Sequence, residues 1–141
     1  MRGQSLIELL IALGIFVAII SVVTFLLIDS YAANLQARQN SQAIFLAEEG
    51  MEAVRSIRDN DWEALAPGSH GLAISGNNWV LLGASEDISD KLKEGKRVIT
   101  IENIDEDRKK IISKVTWQIS PERENKIELV TYLTNWQKLS E

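Results

Sequence analysis

The chain has 141 residues, 45% of them hydrophobic and 25% charged, and carries a net charge of −5. That length is about one domain's worth, and acidic residues spread along the chain leave no basic stripe to neutralise phosphates, so direct nucleic-acid binding is not expected. There is no cysteine, which excludes disulfides, thiolate zinc sites and a cysteine nucleophile, and leaves stability to packing alone.

The first predicted element is a helix that begins in an apolar block. From Leu9 to Ile28 the chain reads LLIALGIFVAIISVVTFLLI without a charge, and at about 1.5 Å per residue such a helix matches the roughly 30 Å hydrocarbon layer of a membrane. A domain this small has no interior able to cover a helix that is apolar on every face, which argues against a buried core helix. An ordinary secretory signal would have a shorter apolar run followed by a small-residue cleavage site, whereas this run passes straight into further helical sequence. Glu8 stands at the edge of the block. An ionisable group there is costly and calls for a partner or a function, although a carboxylate in a first helical turn also favours the positive end of the helix dipole. Arg2 lies on the short N-terminal side and Asp29 opens the far side, so the positive-inside tendency keeps the N-terminus cytoplasmic and turns the remainder outward.

The segment Gly3-Gln4-Ser5-Leu6-Ile7-Glu8-Leu9-Leu10 closely resembles the prepilin signal of type IV pilins, type II secretion pseudopilins and competence pseudopilins. That signal has a short basic leader ending in glycine, a glutamate five residues after the glycine, and then an apolar stretch. The resemblance implies cleavage by a prepilin peptidase between Gly3 and Gln4, methylation of the new amine of Gln4, and a role for Glu8 as the assembly carboxylate that pairs with the N-terminal amine of a neighbouring subunit. It further implies a prepilin leader over residues 1–3, a membrane and assembly half of the helix over 4–28, and an extracytoplasmic pilin-like domain over 29–141. No proline interrupts the anchor near Phe25 and the cysteines of many major pilins are missing. A minor pilin or pseudopilin therefore fits better than a major pilin, and GQSLIELLIAL resembles the N-termini of minor pilins of the PilV type. The partners implied are other pilin or pseudopilin subunits, the prepilin peptidase, an inner-membrane assembly platform and membrane lipid.

Beyond the apolar block the helical pattern continues to about Arg58, with no proline before Pro67. Ala43, Ile44, Ala47, Met51, Val54 and Ile57 form an expected apolar stripe, while Gln42, Glu48, Glu49, Glu52 and Arg55 are expected to face water. Ala32, Ala33 and Ala37 either permit close helix approach in a filament or simply favour helix. The helix should end at Asp59-Asn60-Asp61, with Pro67-Gly68 in the following loop. Gly71–Ser75 and Asn78–Leu82 flank Gly76-Asn77 as a hairpin, and Ala84–Lys96 reads as a polar connector. Three more strands follow over Arg97–Ile104, Ile111–Ile119 and Lys126–Thr134. In the second, Ile111, Val115, Trp117 and Ile119 alternate with Ile112, Lys114, Thr116 and Gln118, which predicts one buried face. Short charged connections favour consecutive antiparallel pairing. The expected fold is α+β: a long N-terminal helix whose outer half packs on a small antiparallel sheet.

Chemistry-bearing residues are few. His70 reads as an exposed loop residue. Asp59 with Asp61, and Asp105-Glu106-Asp107, are oxygen-rich but lack the spacing that wraps a chain around calcium, so turn or capping roles are expected. Trp117 is expected in the core, and Trp62 and Trp136 to seal the helix to the sheet; a stacking or adhesin-like platform is the alternative. No catalytic group, cofactor or metal is expected, and the leading expectation is a non-enzymatic filament subunit. The alternative is a bitopic membrane protein with an extracytoplasmic binding or sensing domain.

Overall fold

A computed structural model of the chain describes residues 2–136 and 138, with side chains from Leu6 onward. The described residues form one helix, α1 (Arg2–Asn60), and six strands: β1 (Gly68–Ser75), β2 (Asn78–Leu82), β3 (Glu86–Asp87), β4 (Lys96–Asn103), β5 (Arg108–Ser120) and β6 (Arg123–Thr134). The chain divides into two compact units, Met1–Arg38 and Gln39–Glu141.

In the first unit the described side chains from Leu6 to Leu35 are all exposed. The large apolar residues from Leu6 to Ile28 are each 48–70% exposed, so the segment presents apolar surface around its whole circumference. It is long and apolar enough to cross a membrane. The Ser21 hydroxyl within the span is satisfied locally, because its Oγ donates to the Val17 carbonyl four residues back at 2.8 Å, a bond that removes a polar group's need for water.

The second unit is an antiparallel sheet with the outer half of α1 packed on one face. Strand order is β2-β1-β4-β5-β6, and β3 pairs with β4. The expected consecutive pairing of the last three strands is present, with Ile99 opposite Ser113 and Val115 opposite Ile127. On β5 the alternation is continuous: Lys109, Ile111, Ser113, Val115 and Trp117 are buried against the helix, as a period of two requires on a one-sided sheet. The β1–β2 hairpin closes through Gly76-Asn77 with Ser75 opposite Asn78. Gly76 has φ 65°, and glycine is favoured at the first position of such a two-residue loop because it alone takes positive φ without steric cost.

Two contiguous core clusters lie between helix and sheet. One gathers Met51, Val54 and Ile57 of α1 with Trp62, Leu65, Ile99, Ile111 and Leu133. The other gathers Ala43, Leu46 and Ala47 with Ile88, Leu92, Val115 and Trp117. Gly50 lies between them on the helix, where a Cβ would stand 2.7 Å from Ser113 Oγ and 3.2 Å from Ile99 Cδ1. Only a residue without a side chain lets the helix backbone come this close to the sheet.

Four expectations are corrected. Ile44 is exposed while Leu46 and Ala53 are buried; successive residues are turned by about 100°, and the buried arc centres on Ala43, Gly50 and Val54, which puts Ile44 at its margin. Glu49 does not simply face water, since it binds a buried arginine. The Ala84–Lys96 connector is not merely polar: it contains β3 and sends Ile88 and Leu92 into the core. His70 lies within β1, opposite Ile99 of β4, and not in a loop.

Candidate functional site

The N-terminal signal residues fall on one continuous helix. Gly3 and Gln4 lie in its first turns, and their side-chain surroundings are outside the described residues. Glu8 is exposed on the same face as Ile11, Ala12 and Ile15, the neighbours that positions three, four and seven residues onward place beside it. No described side chain bonds its carboxylate. Glu8 is thus an anionic group on the rim of a bare apolar surface, an arrangement tolerable in lipid only when a positive partner or headgroup water meets it.

In the second unit the main polar constellation is built on Arg97. Its side chain is 1% exposed on β4, at the inward register position shared with Ile99 and Ile101. Nε donates to Glu86 Oε2 at 2.8 Å and Nη2 to Glu86 Oε1 at 3.0 Å, a fork-to-fork pair with β3. Nη1 donates to Glu49 Oε2 at 2.7 Å and to the Leu46 carbonyl at 2.8 Å, both on α1. A guanidinium spends its donors this fully when it has left water, because each unmet donor would carry its desolvation cost. The constellation fastens β3 to the helix.

Lys109 performs a similar task at the far end of the helix. Its Nζ donates to the carbonyls of Trp62 at 3.2 Å and Leu65 at 2.8 Å and stands 4.5 Å from the Trp62 ring centre. Burial pushes its ammonium below the ordinary lysine value, against the opposing pull of Glu63 and Asp61. In the sequence the only signal for Arg97 and Lys109 is their phase, since both alternate with buried isoleucines in their strands. Glu86 gave none.

The acidic clusters are occupied by turn chemistry. Asp61 accepts from the Glu63 amide at 2.9 Å, and Asp105 accepts from the Asp107 amide at 3.1 Å and from Arg108 Nε at 2.7 Å. The Arg58 hydrogen bond, then that of Trp136, holds the Asp59 carboxyl below its ordinary value; Arg108 does the same for Asp105. Among the described residues no group of three or more His, Asp or Glu side chains could hold a metal ion. His70 Nε2 is 2.9 Å from the Ala66 carbonyl and so closes its own turn. The indoles are divided: Trp62 and Trp117 are buried in different core clusters, Trp79 packs against the first, and Trp136 Nε1 donates to Asp59 at 3.1 Å, tying the end of the chain to the end of the helix.

The site and fold together define an α+β protein with one membrane-spanning-length helix and a helix-on-sheet second unit. Comparison with protein-family models, with curated proteins and with solved structures gives no match.

Proposed function

We propose that this chain is a structural subunit of a type IV pilus-like filament, a minor pilin or pseudopilin, held in the cytoplasmic membrane by the first half of α1 until assembly. The observation that carries the reading is Glu8: a single carboxylate, five residues after Gly3, on a helix that continues from Arg2 to Asn60 with apolar surface on every side through Ile28. Cleavage after Gly3 would create a cationic amine at Gln4 within one helical turn of that carboxylate, and the same amine on an adjacent subunit offers the charge that makes Glu8 acceptable in lipid. Function is then assembly and not turnover, with the N-terminus cytoplasmic, the second unit extracytoplasmic, and neighbouring subunits, prepilin peptidase and an assembly platform as partners.

The test is the mass of the N-terminal peptide recovered from membranes of cells with an active prepilin peptidase. The expected peptide begins at Gln4 and carries one added methyl group, and Glu8→Ala should leave that processing intact while abolishing extraction into filaments. A chain that still begins at Met1 refutes the proposal in favour of a bitopic binding domain.

A further inference from the structure

The unpaired edge of the sheet adjoins an open groove in the second unit. Strand β6 ends the strand order and pairs only with β5, so its other edge presents free backbone donors and acceptors. Its first half carries Arg123, Glu124, Lys126 and Glu128, charges of the kind that discourage edge pairing, whereas Leu129–Thr134 carries none. The unguarded half lines the groove. A space of about 670 Å³ lies between Leu129, Val130 and Thr131 and the helix side chains Phe45, Glu48, Glu52 and Arg55; Phe45 is 65% exposed, and Val130, whose side chain alternates to the outer face between the inward Leu129 and Thr131, borders the space from the strand edge.

We propose that this groove takes up an extended peptide of another protein, apolar in alternation and bearing a lysine or arginine at an inward position, which adds a strand to the β6 edge. The geometry fits such an occupant. Ile127 packs with the Ala43–Ala47 cluster and Leu133 with the Met51–Ile57 cluster, so β6 and this part of α1 run alongside in the same sense. A strand added beside β6 would drop alternate side chains, about 7 Å apart, toward helix positions spaced about 5–6 Å along one flank. Phe45 supplies an apolar contact and the helix flank supplies negative charge. Glu52 is bound by Arg55 and Glu49 is turned to Arg97, but Glu48 has no cationic partner among the described residues and is exposed. That uncompensated carboxylate selects a cation in the incoming segment.

The inference is independent of Gly3 processing and of Glu8, and its test can fail without touching that reading. The ¹⁵N-labelled 141-residue chain in detergent micelles is titrated with the blocked peptide Val-Thr-Lys-Thr-Val-Thr, whose valines and lysine share one face, with its Lys-to-Glu counterpart, and with a version carrying proline at the fourth position. Expected are saturable shifts and slowed exchange of the Leu129–Thr134 amides with the lysine peptide, roughly tenfold weaker binding of the glutamate peptide, and loss of binding with proline. Glu48→Lys should invert the charge preference, and Val130→Lys, an exposed change that guards the edge, should remove binding while the remaining spectrum stays in place. The proposal is overturned by absence of binding at millimolar lysine peptide, by equal affinity for the two charge variants, or by shifts confined to other strands. It is also overturned if concentrating the chain alone produces the same β6 shifts, because the occupant is then a second copy.

Discussion

Glu86→Ala should destabilise the second unit more than removal of the arginine it binds. The substitution takes two charge-assisted bonds, at 2.8 and 3.0 Å, from a guanidinium that is 1% exposed. Each such bond contributes about 1.5–3 kcal/mol. Arg97 keeps Glu49 and the Leu46 carbonyl, and water can reach part of the vacated space because the Glu86 side chain is itself 21% exposed, so a net loss of about 3 kcal/mol is expected. Arg97→Met leaves Glu49 and Glu86 able to hydrate and fills the buried path with an apolar chain, at a cost of about 1–2 kcal/mol. Urea titration of the full chain in micelles, followed by the fluorescence of buried Trp62 and Trp117, measures both. With a slope of about 2 kcal/mol per molar, Glu86→Ala should lower the midpoint by about 1.5 M. In the Arg97→Met background the same Glu86 change should cost less than about 0.5 kcal/mol. An ordering in which Arg97→Met is the worse of the two single variants would show that the buried cation is not what makes this contact matter.

Other predictions follow the same logic. Gly50→Ala brings a Cβ to 2.7 Å from Ser113 Oγ, so despite a helix gain of about 1 kcal/mol it should destabilise by about 1–2 kcal/mol in urea. Because Ser113 Oγ is buried without a hydrogen-bond partner among the described residues, Ser113→Ala should be neutral or stabilising and should rescue Gly50→Ala in the double variant. The lowered Lys109 value means that the folded chain binds fewer protons there than the unfolded one. Stability from this residue should therefore rise with pH between the lowered folded value and the ordinary value near 10.5, a slope that Lys109→Met should remove in pH-dependent urea titrations. Asp59 has a different origin, hydrogen bonding to the charged form in place of burial, but the same sign: its depressed value gives stability that is present above the ordinary value of 3.8 and lost as pH falls through the folded value. Trp136→Phe, which deletes one of the bonds to that carboxylate, should move its titration upward in carboxyl-carbon NMR.

The sequence shows most clearly what repeats. The apolar block, the Gly76-Asn77 hairpin and the β4-β5-β6 meander all rest on patterns several residues long, and Ile111, Val115 and Trp117 point inward as their spacing requires. Single residues at the margin of a pattern were harder to place. Ile44 and Leu46 differ by little more than half a turn, so a stripe drawn through the wrong edge exchanges them. Ile88 and Leu92 stand alone among serine, aspartate, lysine and glycine; they are buried by tight turns, with the Leu92 amide on the Ile88 carbonyl at 3.0 Å and the Gly95 amide on the Leu92 carbonyl at 2.8 Å, which no periodicity announces. Glu49 belongs to Arg97 only because α1 and β4 meet in three dimensions. At the N-terminus the asymmetry is reversed: Gly3, Gln4 and Glu8 carry their meaning in order and spacing, and an isolated helix shows only that Glu8 is displayed.

Arg97 also fixes when the helix can be completed. Its bond to the Leu46 carbonyl joins residues 51 apart in the chain, and the Ala43–Ile57 stripe finds its cover only on strands that begin at Gly68. At a synthesis rate of about 5–20 residues per second, the outer half of α1 emerges seconds before the sheet that shields it. During that interval the newborn chain carries a bare, sticky helix flank. Any companion that holds this flank until β4 and β5 arrive would set the yield of folded protein, and slowing elongation between Asn60 and Lys96 should raise the fraction lost to aggregation.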